Sequence, residues 1–229
     1  MFLKWITTKR PFVTLKMAMT LDGKIASHTG ASKWVTGEAA RARVHEYRDA
    51  HDAILVGIGT VLADDPSLTT RLPDGTGHNP LRIVLDSTAR TPLNAGLVTD
   101  SAAPTLIVVS ERADQRRVNL LRACGVETLT LGTEHVDIAA LLDYLGAREI
   151  TSLFVEGGAA VNWSFLAGGY VDKVHAFIAP MLMGGAAAKT PIGGTGFDSP
   201  QTALHLRDTT VEQIGADILV TGYPCRDTE

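Results

Sequence analysis

The sequence has few cysteines, few aromatic residues and no long apolar run. Its 229 residues include only two cysteines, Cys124 and Cys225, and neither belongs to a CxxC or Cys/His spacing. A disulfide framework and a zinc site are therefore not predicted, and no metal is expected. No apolar run approaches the ~18 residues of a membrane helix, and the N-terminal segment lacks an apolar core followed by a small-residue cleavage site. The predicted location is the cytoplasm, without membrane association.

The sequence also lacks a basic region. The formal net charge is -4 and the isoelectric point is near 6.0, and no cluster of lysines and arginines occurs. Such a chain has no electrostatic field that attracts a polyanion, so nucleic acid is not expected as a partner. No repeat, low-complexity tract or linker divides the chain. We predict a single domain over residues 1–229, with a core from about residue 11 to about residue 223.

Apolar segments of strand length alternate with segments of helical periodicity. This alternation predicts an α/β fold with a mostly parallel central sheet flanked by helices. Strands are predicted in PFVTLKMAMT, AILVG, LRIVLDS, TLIVVS, VETLTL and SLFVEGG, and SLFVEGG is the last that is predicted to be parallel. Helices are predicted in GEAARARVHEYRDAH with Thr36 as N-cap, in ERADQRRVNLLRACG, after Asp137 as N-cap, and from Ala159 to Leu166. The strands ALHLRDTTVEQI and DILVTGY alternate in polarity, which predicts an antiparallel finish.

The stretch Ala53–Arg71 combines an apolar strand, two glycines and a cluster of polar groups. GIGTVL starts like a dinucleotide fingerprint, but Leu62 stands in place of the third glycine, so by itself the string favours a tight strand-to-helix turn. The adjacent Asp64 and Asp65 suit proton transfer, because like charges in one site raise one pKa. They could equally end a helix before Pro66.

A second glycine turn, in EGGAAVNWS from Glu156 to Ser164, follows a predicted strand directly. Gly157 and Gly158 would open a helix whose free N–H groups can hold a pyrophosphate, although close packing of the helix on the sheet needs glycine too. Asp86 and Ser87 follow the strand LRIVL. They could meet a ribose or its 2′-phosphate, or cap a turn.

Lys16 lies inside an apolar strand segment. It is either a solvated edge residue or a cation placed beside a reacting group. Arg48 is assigned to a solvated helix face by default, and the histidines to surface or packing positions, because no GxSxG or triad pattern accompanies them.

Several strings together resemble, in the same order, the reductase half of the bifunctional riboflavin-biosynthesis deaminase/reductase. They are RPFVTLKMAMTLDGKIA, SKWVTG, VHEYRDAHDAILVGIGTVLADDPSLTTR, PLRIVLDS and LFVEGGAAVNWSFL. The resemblance implies a dihydrofolate-reductase-like fold, NADPH as hydride donor, a homodimer and the reduction of 5-amino-6-(5-phosphoribosylamino)uracil to 5-amino-6-(5-phosphoribitylamino)uracil. The zinc signature HxE with PCxxC is not in the sequence, so no deaminase domain is expected, and a separate deaminase is a possible partner.

The resemblance also implies roles for individual residues. The NADPH contacts are Ala18, Trp34, Thr60, Asp64, Ser87 and the turn and helix residues Gly157, Gly158, Ala159, Ala160, Val161, Asn162, Trp163 and Ser164. The substrate contacts are Ser32, Arg48, Leu68, Arg71 and Glu156, with Ser32 and the two arginines on the substrate's 5-phosphate. The candidates for supplying a proton are Lys16, Asp64 and Glu156.

Three alternatives remain open from the sequence. The substrate could be the 2,5-diaminopyrimidine ribosyl phosphate or a dihydropterin, or the chain could be a non-catalytic nucleotide-binding relative. The choice between NADPH and NADH is also open, because no arginine is placed at the 2′-phosphate.

Overall fold

The computed structural model describes residues 1–225, which contain seven helices and nine strands. The helices are α1 Phe2–Thr8, α2 Glu38–Asp49, α3 Ile58–Asp64, α4 Gly96–Thr99, α5 Gln115–Ala123, α6 Ile138–Ala147 and α7 Ala159–Ala167. The strands are β1 Phe12–Thr20, β2 Ala53–Gly57, β3 Leu81–Leu85, β4 Thr105–Val109, β5 Glu127–Thr130, β6 Ser152–Val155, β7 Lys173–Ala179, β8 Leu206–Ile214 and β9 Asp217–Pro224. No helix in this described part of the chain is long and apolar enough to cross a membrane.

The chain forms two compact units. The first unit contains residues 1–12 and 45–155, and the second contains residues 13–44 and the chain from residue 156 onward. The prediction of a single domain over residues 1–229 stays a prediction.

The first unit has a parallel sheet in the order β5-β4-β3-β2-β6. Strands β2 and β4 are buried at every position, as their continuous apolar sequences require. Helix α6 begins where it was predicted, because the Asp137 carboxylate accepts a hydrogen bond from the Ala140 N–H at 3.0 Å. Helix α5 is shorter than predicted. It begins after Asp114, whose carboxylate accepts from the Arg116 N–H at 2.8 Å.

The second unit has strands in the order β1-β7-β9-β8. Strand β7 pairs parallel with β1 and antiparallel with β9, and β8 pairs antiparallel with β9. The predicted antiparallel finish is confirmed. The prediction that SLFVEGG is the last parallel strand is wrong, because β7 follows it and pairs parallel with β1. Pairing direction depends on the neighbouring strand, which local sequence does not specify.

Two helix starts also differ from the predictions. Helix α2 begins at Glu38 and not directly after Thr36, and the N–H of Gly37 donates to the Asp217 carboxylate at 2.7 Å. The N-terminal helix α1 was not predicted. Its Trp5 indole N–H donates to the Gly146 carbonyl at 2.9 Å.

Candidate active site

The candidate site in the second unit contains a mostly buried ion pair. The Nζ atom of Lys16, on β1, is 3.5 Å from Oε2 of Glu156, and the two side chains are only 16% and 10% exposed. Lys16 is therefore not a solvated edge residue. Two charges withdrawn from water to this extent require each other, since removing either one leaves the other uncompensated.

His175 lies beside Lys16 on the neighbouring strand, although no role was predicted for it beyond packing. The register of β1 and β7 pairs Lys16 with His175, which is 4% exposed. Its Nδ1 atom is 2.8 Å from the hydroxyl of Thr221 on β9. The sequence signal for this placement was weak, because it depends on the parallel pairing of β7 that the strand pattern did not reveal.

The two glycines of the turn before α7 differ in the space around them, and only Gly157 is required for packing. A Cβ atom at Gly157 would lie 2.6 Å from Val161 Cγ1 and 2.9 Å from Asn162 Oδ1, so packing requires glycine there. A Cβ atom at Gly158 would meet nothing within 4 Å. Gly158 is the N-cap of α7 and no side chain caps the helix, so its first N–H groups can receive an anion.

Helix α7 also holds the glycine-rich loop that follows β7. Asn162 is buried, and its side-chain amide donates to the Pro191 carbonyl at 2.8 Å. The Gly193 N–H donates to the Ala159 carbonyl at 3.0 Å, and the ring of Trp163 packs edge-on to Phe197 with centroids 5.3 Å apart. Part of this predicted cofactor-binding run therefore has a second task, which is to order the loop.

Asp22 fixes the beginning of the same loop. Its carboxylate accepts from the Thr20 hydroxyl at 2.5 Å and from the N–H groups of Met183 and Gly184 at 3.0 and 2.6 Å. These bonds, led by the one from Thr20, lower the pKa of Asp22 from 3.8 to about 2.

The remaining predicted residues of the second unit lie on β1 and on the segment that leads to α2. Ala18 is half-buried on β1 opposite Phe177, and Ser32 is half-buried as well. Trp34 is 67% exposed, and the Arg41 guanidinium lies over its ring at 4.6 Å from the centroid. This stacking was not foreseen, because helix arginines are solvated by default.

In the first unit, the two adjacent acids Asp64 and Asp65 lie at the end of α3. Asp65 has φ 40° and caps the C-terminus of α3, and its carboxylate accepts from the Gly96 N–H at 2.9 Å. The helix-end alternative is thus correct for Asp65. Asp64 is the last residue of α3, and Thr60 lies on the same helix one turn earlier.

The segment from Ser67 to Arg71 carries the predicted substrate contacts of this unit. Leu68 is buried with φ 53°. The Arg48 guanidinium donates to the Thr69 carbonyl at 3.0 Å, so the solvated-face default for Arg48 is wrong. Arg71 is exposed, and its Nε and Nη2 atoms are 3.4 and 3.3 Å from Nε2 of His45. Arg48 therefore contacts the same short segment to which Arg71 belongs.

Asp86 and Ser87 follow β3 in the same unit. Asp86 is fully buried, and its carboxylate accepts from the N–H and the hydroxyl of Thr91, both at 2.7 Å. The turn-capping alternative is therefore correct for Asp86. Ser87 is half-buried, and its hydroxyl accepts from the Val136 N–H at 3.3 Å.

Between residues 1 and 225, no group of three or more His, Cys, Asp or Glu residues could hold a metal ion. An uncapped helix start after a glycine turn and a buried lysine–carboxylate pair define an α/β protein with a candidate dinucleotide site. The chain belongs to the RibD C-terminal domain family, whose model matches residues 11–220.

Named relatives agree with this assignment. The chain is 46% identical over 224 residues to the riboflavin biosynthesis protein RibD of Bacillus amyloliquefaciens, covering 98% of this chain and 60% of the relative. It therefore spans about three fifths of that relative's length. It is 47% identical over 212 residues to the 2,5-diamino-6-ribosylamino-4(3H)-pyrimidinone 5′-phosphate reductase of Methanothermobacter thermautotrophicus, covering 92% of this chain and 97% of the relative.

Solved structures confirm the fold. A diaminohydroxyphosphoribosylaminopyrimidine deaminase/5-amino-6-(5-phosphoribosylamino)uracil reductase from Thermotoga maritima matches with a TM-score of 0.81 and 34% identity, over 98% of this chain and 59% of that one. Dihydrofolate reductase from Enterococcus faecalis matches with a TM-score of 0.50 and 14% identity, over 94% and 97% of the two chains. The predicted dihydrofolate-reductase-like α/β fold is confirmed.

Proposed function

We propose that this chain is an NADPH-dependent reductase that converts 5-amino-6-(5-phosphoribosylamino)uracil to 5-amino-6-(5-phosphoribitylamino)uracil in riboflavin biosynthesis. The observation that carries the proposal is the buried Lys16–Glu156 pair next in sequence to the uncapped start of α7. A cation held out of water can give a proton, and an open helix N-terminus can hold a pyrophosphate. The relatives named as reductases support the same reaction class.

The residues present fit a nicotinamide dinucleotide. Gly158 leaves open space at the first N–H groups of α7, and the glycine-rich loop is ordered against that helix by Asn162. When bound, NADPH supplies a hydride to the sugar C1 of the ring-opened imine. The remaining cofactor assignments, at Ala18, Trp34, Thr60, Asp64 and Ser87, are part of this proposal.

In the proposed reaction the Lys16 ammonium gives the proton that the imine nitrogen takes up. Glu156 directs the ammonium, because its carboxylate oxygen lies 3.5 Å from Nζ. Asp64, which lies in the first unit, remains a proposed cofactor contact and an alternative proton source.

The substrate phosphate is proposed to bind at Arg48 and Arg71. Both guanidinium groups adjoin the Thr69–Arg71 segment, and a dianionic phosphate suits paired arginines better than a neutral group does. Ser32, Leu68 and Glu156 complete the proposed substrate contacts. A dihydropterin would give these arginines no partner.

The test is NADPH oxidation by the purified chain with the uracil, diaminopyrimidine and dihydrofolate substrates side by side. Oxidation with the uracil substrate is expected, and absence of oxidation with all three would favour a non-catalytic nucleotide-binding protein. The same assay with NADH in place of NADPH measures the cofactor preference.

A second candidate substrate is the 2,5-diaminopyrimidine ribosyl phosphate. The observation that favours it is the relative of nearly the same length, 47% identical, that is named as the reductase of this compound. A higher kcat/KM with the diaminopyrimidine than with the uracil would select it.

Two partners are also proposed. One is a second copy of the chain, supported by strand β8, which ends the strand order of the second unit and exposes eight of its nine residues. The other is a separate deaminase, supported by the Thermotoga maritima protein, whose name combines a deaminase with a reductase.

A further inference from the structure

A fully buried arginine lies in the sheet of the first unit. Arg82, on β3, has 0% of its surface exposed and is the largest of the fully buried side chains. A guanidinium stays charged at any physiological pH and has five N–H donors, so burying one is costly unless acceptors surround it. Its acceptors therefore show what the residue holds in place.

Arg82 donates to groups from two separate segments, the Ser67 turn and the stretch from Leu97 to Ala103. Its Nη1 atom is 2.8 Å from Oδ1 of Asp100 and 3.2 Å from the carbonyl oxygen of Ser67. Its Nη2 atom is 2.6 Å from the Ala103 carbonyl and 3.3 Å from the Leu97 carbonyl. The Asp100 carboxylate balances the charge, and the carbonyl bonds join α4 and the Ser67 turn to β3.

Ser67 begins the segment that carries the proposed substrate contacts. Leu68, the next residue, has φ 53°, a left-handed conformation that is unfavourable for a residue with a side chain. Such a conformation persists only where surrounding bonds fix it. Arg82 donates to the Ser67 carbonyl before Leu68, and Arg48 donates to the Thr69 carbonyl after it. The Asn79 side chain accepts from the Thr70 N–H at 2.8 Å.

We propose that Arg82 is a positioning residue for the substrate phosphate. It fixes the Ser67 carbonyl and so sets the direction in which Arg71 presents its guanidinium, without touching the ligand itself. This inference rests on the proposed function of Arg71. A lysine cannot replace Arg82. Its four acceptors surround two separate nitrogens of a planar guanidinium, and one ammonium cannot reach all of them.

The test compares Arg82→Lys with the wild-type chain, using the phosphorylated uracil substrate and the same compound without its phosphate. The variant is expected to raise KM for the phosphorylated substrate about tenfold, since small misplacements of binding groups cost one to two powers of ten. KM for NADPH and kcat/KM for the dephosphorylated compound are expected to stay unchanged. An equal loss with both compounds, or a matching loss for NADPH, would show a general structural role and overturn the proposal.

The matched control is Arg148→Lys. Arg148 lies in the same unit and donates to Glu127 at 2.8 and 3.0 Å, away from the Ser67–Arg71 segment. It is expected to lower Tm without changing either KM. If Arg82→Lys does not fold, Asp100→Asn weakens the same anchor at a side chain that is 35% exposed, and the same selective rise in KM is expected, smaller in size.

Two failures are distinguishable. If Arg71→Ala raises KM for the phosphorylated substrate but the Arg82 and Asp100 variants do not, the positioning role is wrong and the phosphate site stands. If the wild-type chain fails to oxidise NADPH with every pyrimidine substrate tested, the proposed function fails, and the inference fails with it. If the wild-type chain is active but Arg71→Ala leaves KM unchanged, the phosphate binds elsewhere, so the inference fails while the reductase function stands.

Discussion

At the scale of single residues, burial separates roles that residue type alone left open. Lys16 and Glu156 are largely withdrawn from water and face each other, whereas Lys173, also half-buried on the next strand, has its Nζ over the Tyr223 ring at 5.5 Å from the centroid. The two lysines have the same chemistry and different partners. Lys16 lies within ion-pair distance of a carboxylate, whereas Lys173 lies over an aromatic ring.

Replacing Lys16 tests the proton-donor role. Lys16→Met is expected to lower kcat about a hundredfold with little change in KM for NADPH, since a positioned acid contributes roughly 10²–10⁴ in rate. It is also expected to destabilise the fold, because the Glu156 carboxylate would lose its partner.

The double variant Lys16→Met/Glu156→Gln separates these effects, since it removes the unpaired charge and should recover Tm without recovering kcat. Lys173→Met is the control for loss of a half-buried lysine. A Lys16→Met enzyme with normal kcat and an unchanged pH–rate profile would exclude Lys16 as the proton source.

Replacing Arg71 tests the phosphate site. Arg71→Ala is expected to lower kcat/KM for the phosphorylated substrate by about one to two powers of ten, corresponding to about 1.5–3 kcal/mol for a charge-assisted bond. The exposed Arg116 on α5 provides the control Arg116→Ala, which removes an equal charge elsewhere in the same unit. An unchanged KM in the Arg71 variant would show that the phosphate binds elsewhere.

At the scale of elements, the turn before α7 shows how two adjacent glycines differ. Gly157→Ala is expected to destabilise the protein by about 1–3 kcal/mol, because its Cβ would overlap Val161 and Asn162. Gly158→Ala meets open space at φ −81°, so its stability should be nearly that of the wild type. If a pyrophosphate approaches α7 at this point, Gly158→Ala raises KM for NADPH.

Urea unfolding measures the stability of both variants, and NADPH titration measures their affinity for the cofactor. Unchanged NADPH affinity in Gly158→Ala would place the pyrophosphate away from this helix. Equal stability of the two variants would contradict the packing role of Gly157.

The loop anchor at Asp22 predicts a dependence on pH. The folded-state pKa lies near 2, below the ordinary 3.8, so the stabilisation from this carboxylate is fully present above 3.8 and is lost as pH falls through about 2. Asp22→Asn is expected to be less stable than the wild type near neutral pH, with the difference shrinking between pH 3.8 and about 2. Urea midpoints of both proteins across this range measure it, and a constant difference would contradict the assignment.

Most elements were predictable, and the exceptions have physical reasons. Strands β2 and β4 and helix α6 agree with local signals, namely continuous apolar runs and the Asp137 cap. Helix α2 starts later than predicted, and the N–H of Gly37 is bonded by Asp217, a residue 180 positions away. Local patterns carry no information on such a contact.

At the scale of the whole molecule, the proposed second copy can be tested at β8. Strand β8 is the terminal strand of the second unit, and Val211 is its most exposed apolar side chain, at 71%. The wild-type chain is expected to have a mass in solution near twice 24.4 kDa, and Val211→Lys to shift it toward one copy, because a charged side chain opposes edge-to-edge pairing.

Light scattering after size exclusion measures both masses. A wild-type chain of single mass would exclude the dimer, and an unshifted Val211→Lys dimer would place the interface elsewhere.

The sequence by itself determined the α/β class, the antiparallel finish and the family. These depend on apolar periodicity and on long specific strings such as VLADDPSLTTR, which are present in the chain itself. The tertiary structure decided which polar residues are paired: Lys16 with Glu156, Asp65 with Gly96, and Arg82 with the Ser67 turn. The reason is physical. Hydrogen bonds and ion pairs join residues far apart in sequence, and their partners are set by strand order and register, which appear only when the sheets form.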